Sequence, residues 1–402
     1  MIPSSNKNQL PPGWKWQKFG DVVNNLDGKR RPLSKEVRVK RKGDYRYYGA
    51  TEIVDYIDDY IFEGEHLLVG EDGANLLSKS KALAFIVDGK FWVNNHAHVL
   101  QAKATFVNKY LCYYFNSLNL AKFVTGTAQP KLTQGNLNKI EIPICSPKIQ
   151  LAIVSKIEEL FSEIDKGIEN LRTAQQQLKT YRQSVLKWAF EGKLTNENVK
   201  EGVFPKGWKM KSIGDIFEVY IGSTPKRNVP EYWGGDINWV SSGEIAFCNI
   251  MSTKEKITQE GLEKTSCKVH PIGTVIIAMI GEGKTRGQAA ILKIEASHNQ
   301  NTAAIRVDNN IYKSELLYYY LVFKYEDNRK VGSGNNQKAL NKERVKSIPI
   351  PFPSIKEQNR IVQEIESRLS VADKMEESIT QSLQQAEALR QSILKKAFEG
   401  RL

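Results

Sequence analysis

The sequence predicts an α+β protein built from two copies of one plan, in which a mixed α/β module is followed by one long helix. The first observation is a repeat. Residues 182–194 return as residues 390–402 with ten of thirteen positions identical. The alignment continues without a gap, at one constant offset, back to Gly126 and Gly334, and 29 of its 69 paired positions match. Solenoid units are roughly 20 to 50 residues long, and this offset is several times longer, so the repeat indicates a duplicated domain pair.

The second observation is that each copy ends in a long helix with boundaries marked in the sequence. Serine caps and first-turn residues mark the starts, and glycine in a left-handed conformation is expected at the ends. The start signals are Ser146 with Pro147 and Ser354 with Glu357, and the stop signals are Gly192 and Gly400. About 44 residues without an internal proline lie between them, which gives a helix of roughly 65 Å.

The third observation is a heptad pattern in both helices. Apolar side chains recur at seven-residue steps in the first helix, with others between them, as expected of a coiled-coil seam. The positions are Ile157, Ile164, Leu171, Leu178 and Val185 in the first helix, and Ile361, Ile365, Leu369, Ala372, Ile379, Leu383, Ala386, Leu389 and Ile393 in the second. Each helix therefore needs a partner, and the other helix is the simplest one. Two amphipathic helices packed on their own modules are the alternative.

Composition favours a folded protein with an acidic partner. Hydrophobic residues make up 41% and charged residues 26% of the 402 residues, which argues against disorder. The net charge of +13 would attract a polyanion, and nucleic acid is the usual one.

The cysteines and the apolar segments predict a cytoplasmic protein. The four cysteines, at 112, 145, 248 and 267, have neither metal-ligand nor disulfide-like spacing. The N-terminal segment lacks a signal-peptide pattern, and no apolar run approaches the length of a membrane span.

Short runs rich in aromatic and branched residues predict the strands of the modules. In the first module these runs are 45–48, 56–62, 66–69, 82–87 and 91–93, followed by a short helix at 108–116. In the second module they are 237–240, 274–280 and 288–294, followed by a helix near 314–323. The module heads also repeat, since Gly13-Trp14 matches Gly207-Trp208.

Residues 281–285, GEGKT, resemble the end of a phosphate-binding loop. The full pattern needs glycine where Ala278 stands, so a nucleotide site is not supported and a turn between strands is the simpler interpretation. The preferred functional hypothesis is that Lys284 and Arg286 project from this turn toward DNA.

Two polar clusters occupy comparable places in the modules. His96 and His98 have the spacing of a strand face, but further metal ligands are not evident, so no metal site is predicted. Asn94 and Asn95 beside them, and Gln300 in the second module, can contact base edges or satisfy a tight loop.

Basic clusters accompanied by aromatic residues complete the candidate DNA-binding surface. Each cluster alone is explained by solvation, whereas matching clusters in two copies indicate a paired nucleic-acid surface. The DNA-contact candidates are Lys29, Arg30, Arg31, Lys79, Lys81, Asn94, Asn95, His96, His98, Thr224, Lys226, Arg227, Trp239, Lys284, Arg286 and Gln300.

Catalytic motifs are not found in the sequence. It contains no Asn/Asp-Pro-Pro-aromatic motif for methylating a flipped base, no glycine-rich cofactor loop, and no convincing nucleophile elbow or paired-carboxylate nuclease site. A free-standing DNA methyltransferase or nuclease, and a scaffold whose basic surface is incidental, remain alternatives.

The ordered set of motifs resembles the specificity subunits of type I restriction-modification systems over nearly the whole chain. The motifs that carry the resemblance are the Gly-Trp heads, residues 126–132 leading into Ile-Glu-Ile-Pro-Ile at 140–144, Ile-Pro-Ile-Pro-Phe-Pro at 348–353, and the Ala-Phe-Glu-Gly endings at Ala189 and Ala397. Within the modules, residues 47–50, 70–73, 222–225 and 232–235 are similar to target-recognition domains. Asn336-Gln337-Lys338 departs from Ala128-Gln129-Pro130, which puts a shared role of Gln129 and Gln337 in doubt.

The resemblance implies two target-recognition domains separated by an antiparallel coiled coil that sets the gap between two DNA half-sites. The implied domains are residues 1–147 and 205–353, with long helices at 148–192 and 354–402 and a linker at 193–204. The implied partners are double-stranded DNA, two modification subunits using S-adenosylmethionine, and restriction subunits using ATP and Mg. This chain would bind no cofactor and carry no catalytic residue. The candidate docking residues are Phe190, Glu191, Phe398 and Glu399, for which packing at the ends of the helices is the alternative.

Overall fold

The computed structural model describes residues 10–126, 128–196, 198–200, 202–281, 283–330 and 340–402. The chain divides into two compact units. Unit 1 combines Met1–Arg172 with Thr380–Leu402, and unit 2 is Thr173–Ile379. Two helices, α6 (Pro147–Phe190) and α12 (Ile355–Phe398), each begin in one unit and end in the other. Within the described ranges, no helix has the length and apolar character needed to cross a lipid bilayer.

Unit 1 is a mixed α/β module. Its strands are β1 Lys15–Lys18, β2 Val23–Asn25, β3 Lys42–Tyr48, β4 Ile53–Ile57, β5 Phe62–Glu63, β6 His66–Gly70, β7 Ala84–Val87, β8 Lys90–Val93, β9 Ala97–Ala102 and β10 Glu141–Ile144. Its shorter helices are α1 Phe19–Val22, α2 Lys35–Lys40, α3 Asn75–Ser78, α4 Asn108–Ser117 and α5 Gln134–Asn138.

Unit 2 follows the same plan. Its strands are β11 Lys209–Ser212, β12 Glu218–Ile221, β13 Trp233–Val240, β14 Cys248–Ile250, β15 Glu255–Ile257, β16 Val275–Ala278, β17 Ala289–Leu292, β18 Ser297–His298, β19 Thr302–Arg306 and β20 Pro349–Phe352. Its shorter helices are α7 Ile213–Ile216, α8 Gln259–Glu263, α9 Ser314–Phe323, α10 Tyr325–Lys330 and α11 Lys342–Lys346.

The sheets of the two units correspond strand by strand. The order β2-β9-β6-β7 in unit 1 matches β12-β19-β16-β17 in unit 2, where β14 is added at the edge. The order β4-β3-β8 matches β15-β13-β18, with β5 added at the edge in unit 1, and the pair β1-β10 matches β11-β20. The duplication seen in the sequence is therefore a duplication of topology, including modules whose sequences have diverged.

The boundaries of the two long helices confirm the capping signals. Both helices contain 44 residues. The Glu357 backbone N–H donates to the Ser354 hydroxyl oxygen at 3.4 Å, and both terminal glycines have a left-handed φ, 79° at Gly192 and 69° at Gly400. A side chain is also excluded there, because a Cβ on Gly192 or Gly400 would overlap the ring of Pro205 or Pro11, respectively.

Within each unit, the start of one long helix packs against the end of the other, so the helices run antiparallel. In unit 1, Ile153 and Ile157 share a core with Ile393 and Phe398. In unit 2, the corresponding core contains Val185, Leu186, Ala189, Phe190, Ile361 and Ile365. The apolar stripes of the sequence are thus buried in part against the partner helix.

One buried glutamine joins each long helix to its module. The Gln150 side chain accepts from the Val107 N–H at 3.0 Å and donates to the Cys145 carbonyl at 2.9 Å. Gln358 repeats these bonds in unit 2, accepting from the Lys313 N–H at 2.9 Å and donating to a carbonyl preceding α12 at 3.0 Å. Both glutamines are fully buried, which explains why the repeat keeps them identical.

Some predicted strands differ from the observed ones. The run 56–62 is not one strand, because β4 ends at Ile57 and β5 begins at Phe62. The strands β9 and β19 are not among the predicted runs, although both lie inside the larger sheets. The helices predicted at 108–116 and 314–323 are confirmed as α4 and α9.

Candidate nucleic-acid interface

Two corresponding loops meet in each unit. We call the turn after β8 or β18, residues 94–96 or 299–301, the Asn turn, and the segment 71–83 or 279–288 the basic hairpin. The Glu71 N–H donates to the His96 carbonyl at 2.8 Å in unit 1, and the Met279 N–H donates to the Asn301 carbonyl at 2.9 Å in unit 2. The predicted polar clusters at 94–98 and 299–302 are therefore equivalent in space and lie beside the predicted basic residues.

The first asparagine of each Asn turn stabilises the turn itself. The Asn94 side-chain oxygen accepts from the His96 N–H at 2.8 Å, and the Asn299 side-chain oxygen accepts from the Asn301 N–H at 3.1 Å. The residues at the tips, Asn95 and Gln300, are exposed. A side chain at the tip can thus vary without disturbing the turn.

A chain of hydrogen bonds supports the Asn turn of unit 2 from inside. Arg306 donates to His270 Nδ1 at 3.1 Å, the two imidazoles share a bond at 3.2 Å between Nε2 atoms, and His298 Nδ1 bonds the Thr302 hydroxyl at 2.7 Å. That hydroxyl donates to the Asn299 carbonyl at 2.9 Å. Burial, together with nearby positive charge at His270, lowers the pKa of both histidines, so they are neutral.

An ion-pair network supports the Asn turn of unit 1. Arg30 pairs with Glu71 at 2.6 Å and donates to the Ala97 carbonyl at 2.7 Å, while His98 bonds Asp27 at 2.6 Å. Burial opposes ionisation of both carboxyls, but bonds from His98 to Asp27, and from Arg30 and Lys131 to Glu71, hold their pKa values below the ordinary range.

This network corrects two predictions. His98 is buried, with its other ring nitrogen bonded to the Leu132 carbonyl at 2.8 Å, so it does not reach DNA. Arg30 is held against Glu71 and Ala97 inside the unit and supports the turn instead of a phosphate. Atoms of Asp27, Glu71 and His98 lie within 4.8 Å of one another, as metal ligands can, but Arg30 already supplies the balancing positive charge.

The segment after β12 in unit 2 is clamped by two tryptophans. Trp239 donates to the Ser223 carbonyl at 3.0 Å, and Trp233 donates to the Lys226 carbonyl at 3.2 Å. Trp239 is buried, which corrects its prediction as a DNA contact and makes it a support for the segment. The clamped segment presents Thr224, whose hydroxyl bonds the side-chain oxygen of Gln300, so two predicted residues are brought together.

The other predicted residue of this segment, Arg227, is engaged in the unit. Its guanidinium lies 3.9 Å from the Trp233 ring centroid and forms an ion pair with Glu255, including a bond of 2.9 Å. The bond from Arg227 lowers the pKa of the Glu255 carboxyl. Lys226 is exposed on the same segment.

The basic hairpin of unit 1 holds its lysines differently. Lys79 has a left-handed backbone with φ of 52°, and its ammonium donates to the Asn116 carbonyl at 3.0 Å. Burial lowers the pKa of Lys79. Lys81 is exposed and pairs with Glu52 at 2.7 Å. Lys79 thus anchors the hairpin to α4, whereas Lys81 remains at the surface.

The basic hairpin of unit 2 is a turn between antiparallel strands, β16 and β17. This confirms the turn interpretation, since a phosphate-binding loop would open a helix. Tyr325 donates to the Lys284 carbonyl at 2.5 Å, Arg329 donates to the Gly283 carbonyl at 2.6 Å, and Arg286 donates to the Arg329 carbonyl at 3.0 Å. Lys284 is exposed, while Glu282 lies outside the described residues.

The remaining candidates divide between surface and core. Lys29 and Arg31 are exposed. Phe190 and Phe398 are 4% and 3% exposed and pack on tyrosines of α9 and α4, so burial favours a core role over docking. Glu191 pairs with Lys193 at 2.7 Å, and Glu399 pairs with Arg401 at 3.4 Å. The departure at residues 336–338 lies outside the described residues.

Comparison with known proteins decides the family. Residues 11–172 and 205–387 each match the family described as Type I restriction modification DNA specificity domain. The chain belongs to this family. It is a specificity subunit with two matched domains, a DNA-recognition protein and not an enzyme in its own right.

Named relatives span the length of this specificity subunit. It is 28% identical over 390 residues to a Haemophilus influenzae protein named as a type I restriction enzyme specificity subunit, S.HindORF215P, covering 92% of this chain and 90% of that one. It is 23% identical over 421 residues to the type I restriction enzyme EcoDI specificity subunit of Escherichia coli, covering 98% and 90%.

Solved structures share the fold of the specificity subunit. One, described in terms of complex assembly and conformational transition of the type I R-M system, has a TM-score of 0.73 at 19% identity and covers 98% of this chain and all of that chain. The HsdS subunit from Thermoanaerobacter tengcongensis has a TM-score of 0.61 at 19% identity, with complete coverage of both chains.

The sequence did not single out Asp72 for a role of its own, although it bonds the His96 ring at 2.9 Å. The signal in the sequence that could have identified Asp72 is its position shortly after β6, in a Glu-Asp-Gly turn. The link to His96 was not visible because the two residues are 24 apart in sequence and meet only through the sheet.

Proposed function

We propose that this specificity subunit reads a split DNA site, with one half-site bound by each unit. The observation that carries the proposal is that the Asn turn and basic hairpin keep the same backbone bonds in both units but display different side chains. The Asn turn carries Asn95 and His96 in unit 1 and Gln300 and Asn301 in unit 2, while each basic hairpin presents an exposed lysine, Lys81 or Lys284. A shared frame with different exposed groups is what two different half-sites require.

Positive charge supports the sequence-independent part of binding. The net charge is +13, and the exposed basic residues near the two loops include Lys29, Arg31, Lys81, Lys226 and Lys284. Contacts of this type neutralise phosphates and release counterions, which makes affinity fall as salt rises. Base selection is assigned instead to Asn95, His96, Thr224 and Gln300, whose side chains offer donors and acceptors for base edges.

The family relationship supports the proposed partners. The subunit recruits two modification subunits, which use S-adenosylmethionine to methylate adenine at N6, and restriction subunits that use ATP and Mg. We assign no cofactor to this chain. Glu191 and Glu399, which follow the two long helices and each form an ion pair with a nearby basic residue, remain the proposed contacts for partner subunits. The adjacent Phe190 and Phe398 belong to the cores.

The test is to produce the subunit with its modification partners in cells and to map N6-methyladenine across the genome by long-read sequencing. The expected result is one split motif, with two specified halves and an unspecified gap. Gln300→Ala should relax only one half, and Asn95→Ala should relax only the other. An undivided motif would contradict the proposal. The purified chain alone should neither consume S-adenosylmethionine nor cut DNA, in contrast to a free-standing enzyme.

A further inference from the structure

We infer that Asp72 positions His96 so that its Nε2 accepts a hydrogen bond from the exocyclic amino group of adenine or cytosine in the half-site of unit 1. The inference rests on the proposed function and adds a chemical class of base and a positioning residue to it. His96 touches the base, and Asp72 acts only through His96.

The contact between the two side chains is specific in geometry. Both carboxylate oxygens of Asp72 lie 2.9 Å from His96 Nδ1. The imidazole side chain is 46% exposed and the carboxylate 14% exposed, so the ring reaches the surface while its partner lies below. No partner of Nε2 is found among the described residues, which leaves that nitrogen available to a ligand.

The backbone beneath His96 is held in place from several directions. Its N–H donates to the Asn94 side chain at 2.8 Å, and its carbonyl accepts from Glu71 at 2.8 Å. The next carbonyl, of Ala97, accepts from Arg30 at 2.7 Å. A group that reads a base must be held to a fraction of an ångström, and these bonds supply that support.

Unit 2 shows that the fold does not require the pair. The backbone bond between Glu71 and His96 recurs between Met279 and Asn301, and the residue after Met279 is Ile280. The positions of Asp72 and His96 are thus occupied by isoleucine and asparagine on the same frame. The contact between aspartate and histidine is therefore specific to unit 1 and is not needed to form the turn.

The chemistry follows from the position of one proton. A carboxylate only accepts hydrogen bonds, so it selects the ring tautomer that carries hydrogen on Nδ1. In that tautomer Nε2 holds a lone pair and can only accept. In the major groove, the hydrogen-bond donors are the N6 amino group of adenine and the N4 amino group of cytosine. Guanine and thymine present acceptors at the corresponding positions, so they are rejected.

The test uses the complete modification complex and the genome-wide methylation motif. In the wild type, one position of the unit 1 half-site is expected to be restricted to adenine or cytosine on the strand that is read. Asp72→Asn should weaken the preference for adenine or cytosine at this position about tenfold, because a carboxamide can also donate to Nδ1 and thereby permit a donor at Nε2. Asp72→Glu keeps the carboxylate, and it should therefore retain more of this base preference than Asp72→Asn does.

The double variant Asp72→Ile with His96→Asn carries the side chains found at the equivalent positions of unit 2 and serves as the folding control. It should keep the wild-type melting temperature and the half-site read by unit 2. It should lose the preference for adenine or cytosine at the one position of the unit 1 half-site. A merely structural role of Asp72 would lower methylation at all sites without changing base preference, and that result would overturn the inference.

Other outcomes separate the inference from the proposed function. A split motif that stays unchanged in both Asp72→Asn and His96→Asn, or a wild-type preference for guanine or thymine throughout the unit 1 half-site, would overturn the inference alone. Absence of any split motif in the wild type would overturn the proposed function, and the inference with it.

Discussion

Arg182 donates a hydrogen bond to Asp373 at 2.6 Å within unit 2, and Arg390 pairs with Asp165 in the same manner within unit 1. The two pairs are related by the internal repeat, with the arginine and the aspartate exchanged between the two long helices. This reciprocity is the most direct sign that the helices run antiparallel in both units. It also provides matched positions at which the two helix contacts can be compared.

Arg182→Ala should lower the free energy of unfolding of unit 2 by about 0.5 to 1 kcal/mol. Arg182 also bonds Glu376 at 2.8 Å, but all three side chains are partly exposed, and solvent screening keeps such pairs weak. Hydrogen exchange followed by mass spectrometry of peptides from each unit is the measurement. Arg390→Ala is the matched control and should affect unit 1 instead. Equal loss of protection in both units for either variant would contradict the assignment.

Removing one heptad from each long helix should shorten the unspecified gap in the DNA motif. The segments are residues 171–177 and the matching residues 379–385. Seven residues of helix amount to about 10 Å, which corresponds to roughly three base pairs. The methylation motif is the measurement, and both half-sites should keep their bases. Removing a heptad from one helix only should abolish methylation, because the coiled-coil registers would no longer match. An unchanged gap in the double deletion would refute the role of the helices as a spacer.

Unit 2 should lose stability as pH falls below about 6.5 because of its buried histidines. In the folded state His270 and His298 have lowered pKa values, whereas in the unfolded state they take up protons near the ordinary value. The unfolded state therefore binds more protons below that pH, and stability falls by up to about 1.4 kcal/mol per pH unit for each histidine. Above about pH 6.5 both states are neutral and this contribution is constant.

The measurement is urea unfolding of the full chain at several pH values, in which hydrogen exchange of peptides from unit 2 monitors the unfolding of that unit. His270→Gln should reduce the pH dependence between about 6.5 and 4 by roughly half, because one of two titrating groups is removed. The carboxylates with lowered pKa values in unit 1, Asp27 and Glu71, lose their contribution only below about pH 4. A profile that is flat between pH 6.5 and 4.5 would exclude the neutral, buried state of these histidines.

Lys284→Ala should weaken DNA binding equally for all sequences if the ammonium contacts a phosphate. The slope of log affinity against log salt concentration should decrease by about one unit. Titration of a duplex at several salt concentrations is the measurement. Lys211→Ala is a suitable control, because Lys211 lies on β11, outside both loops, with its ammonium 4.2 Å from the Phe352 ring centroid. A slope that Lys284→Ala leaves unchanged would remove this residue from the interface.

The parts of the fold that depend on local chemistry could be predicted from the sequence. A serine cap with a first-turn proline or glutamate, and a terminal glycine, define the ends of α6 and α12 because each acts within one turn of the helix. The internal repeat also predicted that the modules share a plan. The coiled-coil pattern predicted which faces of the helices are apolar.

The parts that depend on distant contacts could not be predicted. His98 and Arg30 look like surface candidates until Asp27 and Glu71 are brought beside them by the sheet. Trp239 is an aromatic residue near a basic cluster in sequence, but in space it supports the segment carrying Ser223. In each case burial or pairing is decided by residues that lie elsewhere in the chain.

Gly400 against Pro11, and Gly192 against Pro205, place the end of a long helix beside the beginning of a module in both units. Unit 2 makes this junction with neighbouring residues, whereas unit 1 makes it with segments from opposite ends of the chain. Translation therefore supplies everything that unit 2 needs before the ribosome reaches residues 380–402. Unit 1 needs residues 380–402 to complete its core. A chain truncated before residue 380 is therefore expected to contain a complete unit 2 and an incomplete unit 1.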